Sequence, residues 1–215
     1  MTRFLIVRHG LSEGNRAKIY QGQLDVPLAP QGHMQAEKTA VYLAEHYSIN
    51  AIYASDLTRT CQTVQPLADR LGLPIHTCRD LREIDVGVWQ GKSFEEVQRE
   101  FPAEYMHYIN DPDTFHFVDG EDVATLVRRS LLALARIAKE NDGKTVVIGT
   151  HGGVIRALLA TWNGLNVKRI KEITPIANCS ITVADYENGS IRLVQVASVA
   201  HLTNLESQDQ KSALV

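Results

Sequence analysis

The apolar run Phe4-Leu5-Ile6-Val7 leads at once into Arg8-His9-Gly10, which puts a charge, an imidazole and a glycine at the end of a buried strand. Open α/β sheets place their ligand crevice at such strand ends. The pattern recurs later, where the β-rich run Thr145 to Gly149 is followed by Thr150-His151-Gly152-Gly153 and an apolar helical stretch. Two histidines delivered by two strand ends can meet over one crevice. Further strands are expected at Asn50 to Ala54 and Pro74 to Thr77. A last pair, Ser180 to Tyr186 and Ile191 to Ala197, flanks the hairpin-turn segment Glu187-Asn188-Gly189-Ser190.

Helical periodicity fills the gaps. Met34, Ala36, Ala40, Leu43, Ala44 and Tyr47 recur at roughly helical spacing. Ser55-Asp56 is expected to cap a helix from about Leu57 to Leu71 that Gly72 stops. Ser93-Phe94-Glu95-Glu96 matches a capping box for a helix ended by Pro102. From Val123 to Lys139, Leu126, Val127, Ser130, Leu131, Leu134, Ile137 and Ala138 make one face. Strand and helix signals therefore alternate as in an α/β fold. The expected architecture is a three-layer α/β/α sandwich with a mostly parallel central sheet, helices on both faces and a small lid insertion.

That insertion is residues 101–120, where Tyr105, Met106, Tyr108, Phe115, His116 and Phe117 sit among prolines and acids. Two readings stand side by side: a lid that roofs the crevice with aromatic rings, favouring a bulky or aromatic ester, or a small satellite core beneath a long loop. No repeat or low-complexity linker divides the chain, so residues 1–215 are read as one domain whose polar tail from Thr203 frays.

Composition narrows the partners. At 215 residues the chain buries a substantial core without staples, and its net charge of −3 with no basic run argues against nucleic acid or a membrane surface. The first apolar run is too short for a signal-peptide core or a membrane span, so a cytoplasmic protein is expected. Cys61, Cys78 and Cys179 are odd in number and widely spaced, which fits reduced thiols better than disulfides or a zinc knuckle. Monomer and homodimer both remain open.

Arg8-His9-Gly10-Leu11-Ser12-Glu13-Gly14-Asn15 resembles the signature of the histidine phosphatase superfamily, the group that includes cofactor-dependent phosphoglycerate mutases and many phosphatases. The likeness continues in order through Gln21-Gly22, Asp25, Leu28, Gly32, Gln35-Ala36, Tyr53-Ala54-Ser55-Asp56-Leu57 with Arg59 and Thr63, and Leu81-Arg82-Glu83. It then takes in Gly87, Trp89-Gln90-Gly91 and Gly149-Thr150-His151-Gly152-Gly153.

Phosphoryl transfer needs an in-line nucleophile, cations around the equatorial oxygens and an acid for the departing alkoxide. His9 is the candidate nucleophile, forming a phosphohistidine. Arg8 and Arg59 offer guanidinium forks, and His151 a further donor or positive charge. Arg59 in the first turn of one helix and Gly152 at the start of another add backbone N–H groups to the anion site. By resemblance Arg8, His9, Arg59 and His151 form the phosphate pocket and Glu83 is the general acid and base. Asn15 is expected to touch the transferred phosphate, and Gln21 and Gly22 either touch substrate or shape a loop. Asp85 is read as solvated or structural, and Glu121 as a helix-start acid. His33, His46, His76 and His107 are assigned to surface or core, and His201-Leu202 resembles a C-terminal pair of many relatives.

Two departures stand out. Leu11 replaces a common Glu, which changes the charge expected near the acid. Ala29 replaces a capping Thr before Pro30, a loss of about 1 kcal/mol. The segment Ile84 to Gly91 lacks the Arg-His-Tyr-Gly run of typical mutases and resembles the phosphatase version. The resulting expectation is a phosphomonoesterase acting on a small-molecule phosphate ester without metal or other cofactor. The alternatives are a phosphoglycerate mutase and a catalytically silent binder of phosphate ligands. A metallohydrolase is disfavoured because arginines flank both histidines.

Overall fold

The computed structural model describes residues 1–164, 173 and 175–203. The tail expected to fray lies outside the described residues beyond Thr203. In chain order the elements are β1 (Thr2–Arg8), α1 (Glu13–Arg16), α2 (Pro30–His46), β2 (Ala51–Ala54), α3 (Thr58–Leu71), β3 (Ile75–Thr77) and α4 (Phe94–Glu100). They continue with α5 (Pro102–Asn110), α6 (Val123–Glu140), β4 (Thr145–Thr150), α7 (Gly152–Trp162), β5 (Ile181–Glu187) and β6 (Ser190–Ser198). The six strands lie in the order β3-β2-β4-β1-β5-β6. The first four are mutually parallel, β5 is antiparallel to β1, and β6 returns antiparallel to β5.

Alternation along the buried strands sorts side chains to two faces. Phe4, Ile6, Val146 and Ile148 pack with Leu126, Leu134 and Ile137 of α6 and Leu158 and Leu159 of α7. Leu5, Val7 and Val147 pack on the other side with Ala40 and Leu43 of α2 and Val64 and Leu67 of α3. The three-layer expectation holds, and each strand and long helix lies within a few residues of its expected place. Among the described residues no helix is long and apolar enough to cross a membrane.

Helix starts show where local reading stops. Ser93 and Glu96 form the expected capping box, and Ala29 supplies no side-chain cap to α2. The cap of α3 differs from expectation. Ser55 and Asp56 do not close it, because Ser55 turns to His151 and Asp56 forms a two-pronged ion pair with Arg82, both contacts at 2.6 Å. Asp25, from a distant loop, instead accepts the Thr58 N–H at 2.6 Å and the Thr58 hydroxyl at 2.8 Å.

In residues 101–120 the aromatic side chains pack inward. Tyr105, Tyr108, Phe115 and Phe117 gather around the Trp89 ring, at centroid distances of 6.4, 5.7, 5.6 and 5.1 Å. This is the satellite-core arrangement, and it merges with the apolar cluster beneath α6 and α7. At the other end of the described chain, His201 stacks on Tyr42 and sits 3.0 Å from the Thr39 hydroxyl, pinning the short turn Ala200–Leu202 to α2. Burial lowers its pKa to about 4, so it acts as a neutral hydrogen-bonding group.

Trp89 is 2 % exposed and is the one ring common to these contacts. Trp89→Ala is expected to cost about 3 to 5 kcal/mol in urea unfolding. A loss under about 1 kcal/mol would mean that the cluster collapses around the gap.

Candidate active site

The register of β1 on β4 pairs Arg8 with Thr150, so the next residue of each strand, His9 and His151, emerges at the same sheet edge. Their ring centroids are 5.3 Å apart. His9 Nδ1 lies 2.8 Å from its neighbour's carbonyl, that of Gly10, and a proton on Nδ1 donated there leaves the Nε2 lone pair free. His9 is fixed from three sides: its N–H donates to the Thr150 carbonyl, its carbonyl accepts from Asn178 Nδ2, and the following Gly10 N–H donates to Thr63 Oγ1 on α3.

A narrow cavity at this edge is lined by Arg8, His9, Asn15, Ile19, Gln21, Gly22, Arg59, Glu83 and Phe94. His151 stands behind His9, fully buried, with Nε2 2.9 Å from Ser55 Oγ. Gly152 begins α7 against the Arg8 side chain. All the expected site residues thus converge. The aromatics proposed to roof the crevice do not line this cavity, and the apolar residues that do are Ile19 and Phe94. Leu11 is buried against α2, its N–H donating to Gln35 Oε1, and also lies outside the lining.

The cations are held by carbonyls. Arg59 donates from Nη1 to Leu24 O at 2.7 Å and from Nη2 to Gly22 O at 2.8 Å, while Arg8 Nη1 donates to Ile176 O. Gly22 has a φ of +48°, and a Cβ there would come within 2.8 Å of Val86 and Gln90, so the loop that aims its carbonyl at Arg59 requires glycine. Arg8 Nε, Arg59 Nε and His151 Nδ1 are buried with no hydrogen-bond partner among the described residues. Two unpaired guanidinium donors beside an imidazole suit an anion with several acceptor oxygens. Ser12 Oγ lies 2.9 Å from Asn15 Oδ1 and 2.8 Å from Gln21 Oε1, so its single proton serves one of these carbonyls at a time and links the two amides.

Glu83 is 5 % exposed, and backbone donors hold its carboxylate: the Ile84 N–H at 2.8 Å and the Gly153 N–H at 2.9 Å. A Cβ at Gly153 would lie 2.3 Å from Glu83 Oε1, so the second glycine of the His-Gly-Gly run is a seat for the acid. Asp85 is structural as expected, accepting the Gly87 N–H. Glu121 is not a helix-start acid: Asp122 caps α6, and Glu121 pairs with Arg129 instead. Ser55, Thr63, Asn178 and Gly153 were missed as supports of the site. Ser55, Thr63 and Gly153 lie inside the segments that carry the family resemblance, but their partners are far away in sequence.

Burial, and then the nearby Arg59, hold both imidazoles well below the usual histidine range. Arg8 further lowers His9, and His9 further lowers His151. Burial also brings Arg8 and Arg59 down to about 10, which leaves both charged near neutrality. The site therefore combines neutral imidazoles with two fixed positive charges and the carboxyl group of Glu83.

Comparison with known proteins agrees with this geometry. The family model of the histidine phosphatase superfamily (branch 1) matches residues 4–199. Phosphoglycerate mutase-like protein 4 of Arabidopsis thaliana is 34% identical over 201 residues, covering 92% of this chain and 86% of that protein. A metal-independent phosphoserine phosphatase, also of Arabidopsis thaliana, is 30% identical over 207 residues, covering 95% and 85%. The solved structure of Bacillus stearothermophilus YhfR superposes with a TM-score of 0.90 at 27% identity, covering 94% of this chain and 100% of that one. The chain belongs to the histidine phosphatase superfamily, and within it the phosphatase reading is favoured over the mutase one.

The depressed imidazoles carry a stability consequence. The folded state keeps His9 and His151 neutral while the unfolded chain protonates them near 6.5, so this contribution is complete above that pH and is lost as pH falls below it. The urea midpoint is expected to fall between about pH 7 and pH 5, and His9→Asn to flatten that slope. The depressed carboxylates of Asp56, Asp122 and Asp185 act lower, around their usual 3.8. An equal slope in the variant would show that His9 titrates normally.

Proposed function

We propose that the protein hydrolyses small phosphate monoesters through a phosphohistidine on His9. The observation that carries this reading is the placement of His9, whose Nε2 is left free by the Nδ1 contact with Gly10 O, in the lining of a cavity it shares with Arg8, Arg59 and Glu83. Arg8 and Arg59, with His151 behind them and Asn15 and Gln21 beside them, bind the equatorial oxygens and gather the charge that builds up in transfer. His9 Nε2 forms the N–P bond as the P–O bond to the alcohol breaks, and Glu83, which enters the cycle in its protonated form, delivers the proton that the departing alkoxide needs. Glu83 then takes a proton from water, whose oxygen attacks phosphorus and breaks the N–P bond. Phosphate leaves, and His9 and Glu83 return to their starting states.

A neutral His9 suits this chemistry, because only the unprotonated ring has a lone pair to give. The arginines supply as fixed charges what a metal ion would supply elsewhere, and they repel a cation from the same place. The name of the metal-independent relative points the same way and makes phosphoserine one ester to assay beside aryl phosphates.

Phosphate release from an aryl phosphate is expected to persist in EDTA, to vanish in His9→Ala, and to fall about 10²- to 10⁴-fold in Glu83→Gln. Rapid quenching into alkali should trap an acid-labile phosphoryl label in the native chain and none in His9→Ala. Interconversion of phosphoglycerates with negligible phosphate release would favour the mutase. Binding without turnover across the substrate panel would favour the silent binder.

A further inference from the structure

The backbone behind Glu83 is tied down in an unusual way. Arg129 projects from α6 towards the segment that follows β3 and uses all five of its N–H groups. Two go to Glu121, from Nε to Oε2 at 3.0 Å and from Nη2 to Oε1 at 2.5 Å. The other three go to backbone carbonyls of the Glu83 turn: Nη1 to Asp80 O at 2.8 Å and Arg82 O at 2.7 Å, and Nη2 to Glu83 O at 2.9 Å. The remaining carbonyl of this run, Leu81 O, accepts from Thr150 Oγ1 at 2.8 Å. Four consecutive carbonyls are thus engaged, and Thr150 is the residue before His151.

Three carbonyls converging on one point repel one another unless a cation sits there. A planar fork reaches all three while keeping two donors for a carboxylate, whereas the three donors of an ammonium radiate from a single atom. Glu121 fixes the fork from the far side. Its Oε1 also accepts the Asp85 N–H at 3.0 Å, and its own N–H donates to Asp85 O at 2.9 Å. The side chains of Arg129 and Glu121 are only 16% and 12% exposed. In front of the turn the Glu83 carboxylate rests on the Ile84 and Gly153 N–H groups, so the side chain is held at its oxygens and its backbone at its carbonyl.

We propose that Arg129, set by Glu121, is a positioning residue for Glu83: the pair fixes the carbonyls of the turn so that the carboxylate reaches the ester oxygen during proton transfer. The proposal rests on the reading of Glu83 as the proton donor. A general acid works only within hydrogen-bond reach of the oxygen it protonates, and displacement by about 1 Å costs about 10²-fold. Neither Arg129 nor Glu121 lines the cavity, so phosphate binding does not depend on them directly.

Leaving-group dependence tests this. p-Nitrophenoxide departs with little protonation and phenoxide needs more, so a defect in the acid appears as a larger loss of kcat/KM for phenyl phosphate than for p-nitrophenyl phosphate. The kcat/KM of both esters is to be measured for the native chain, Arg129→Lys, Glu121→Gln, Glu83→Gln and the Glu83→Gln/Arg129→Lys double variant, with folding checked by circular dichroism. Arg129→Lys is expected to lose about tenfold more on phenyl than on p-nitrophenyl phosphate. It should add little to Glu83→Gln, and Glu121→Gln should show the same bias more weakly. If Arg129→Lys does not fold, the ratio in Glu121→Gln decides. Equal losses on both esters, or full additivity with Glu83→Gln, would overturn the positioning role while leaving Glu83 as the acid. Absence of the bias in Glu83→Gln itself would remove Glu83 as proton donor, and the positioning role with it.

Discussion

The parallel pairing of β1 with β4 governs everything at the sheet edge. Parallel neighbours end at the same side of a sheet, so two strands that each finish in a histidine deliver both rings to one place; antiparallel neighbours would have put them at opposite ends. With Arg8 opposite Thr150, the rings lie 5.3 Å apart, close to the spacing of the strands themselves. A slip of one residue would exchange the two faces of β1, sending Phe4 and Ile6 to the α2–α3 side and Leu5 and Val7 to the α6–α7 side. The apolar alternation that builds the core therefore also sets the distance between the histidines. On the other flank β5 closes the edge, where the Cys179 N–H donates to Arg8 O at 3.0 Å.

Gathering these groups costs stability that the rest of the chain offsets. Two arginines and two imidazoles share a buried space in which Glu83 is the lining carboxylate. Were all four protonated, the repulsion at low dielectric would be severe. The imidazoles avoid it by staying neutral, and the guanidiniums by lying against the carbonyls of Gly22, Leu24 and Ile176. Among the described residues each guanidinium still keeps its Nε unpartnered. A site complementary to an anion with several charged oxygens is necessarily imperfect without it, which is the usual relation between a preorganised site and the stability of its fold.

How much of this was legible in the sequence follows from the range of each interaction. The strands, the long helices and the Ser93 capping box are local or periodic, and they lie where the pattern put them. Arg8, His9, Arg59, Glu83 and His151 were singled out through ordered motifs, since no periodicity distinguishes a site histidine from a structural one. What escaped was the set of long-range partners. Ser55 reads as a cap because it precedes a helix, yet its hydroxyl serves His151, 96 residues away. The cap itself comes from Asp25, 33 residues before Thr58. Glu121 reads as a helix-start acid until Arg129 and the Glu83 turn are seen around it. Phe115 and Phe117 were equally consistent with a roof and a core, because composition says nothing about direction; the Trp89 ring decided it.

The three layers divide the work between the two groups proposed to react. His9 is braced from the α3 side, where Thr63 Oγ1 accepts the Gly10 N–H. Glu83 is braced from the opposite layer, by Gly153 on α7 at its carboxylate and by Arg129 on α6 at its carbonyl. The sheet lies between, and through Thr150 it touches both: its carbonyl accepts the His9 N–H and its hydroxyl donates to Leu81 O. Each of the two groups is thus mounted on a different helical layer, and their separation is set by a shared residue of β4. In-line transfer depends on the distance and angle between nucleophile and leaving oxygen more than on the strength of any single contact. A rigid sheet with independent supports on its two faces fixes those quantities without requiring the helical layers to contact each other.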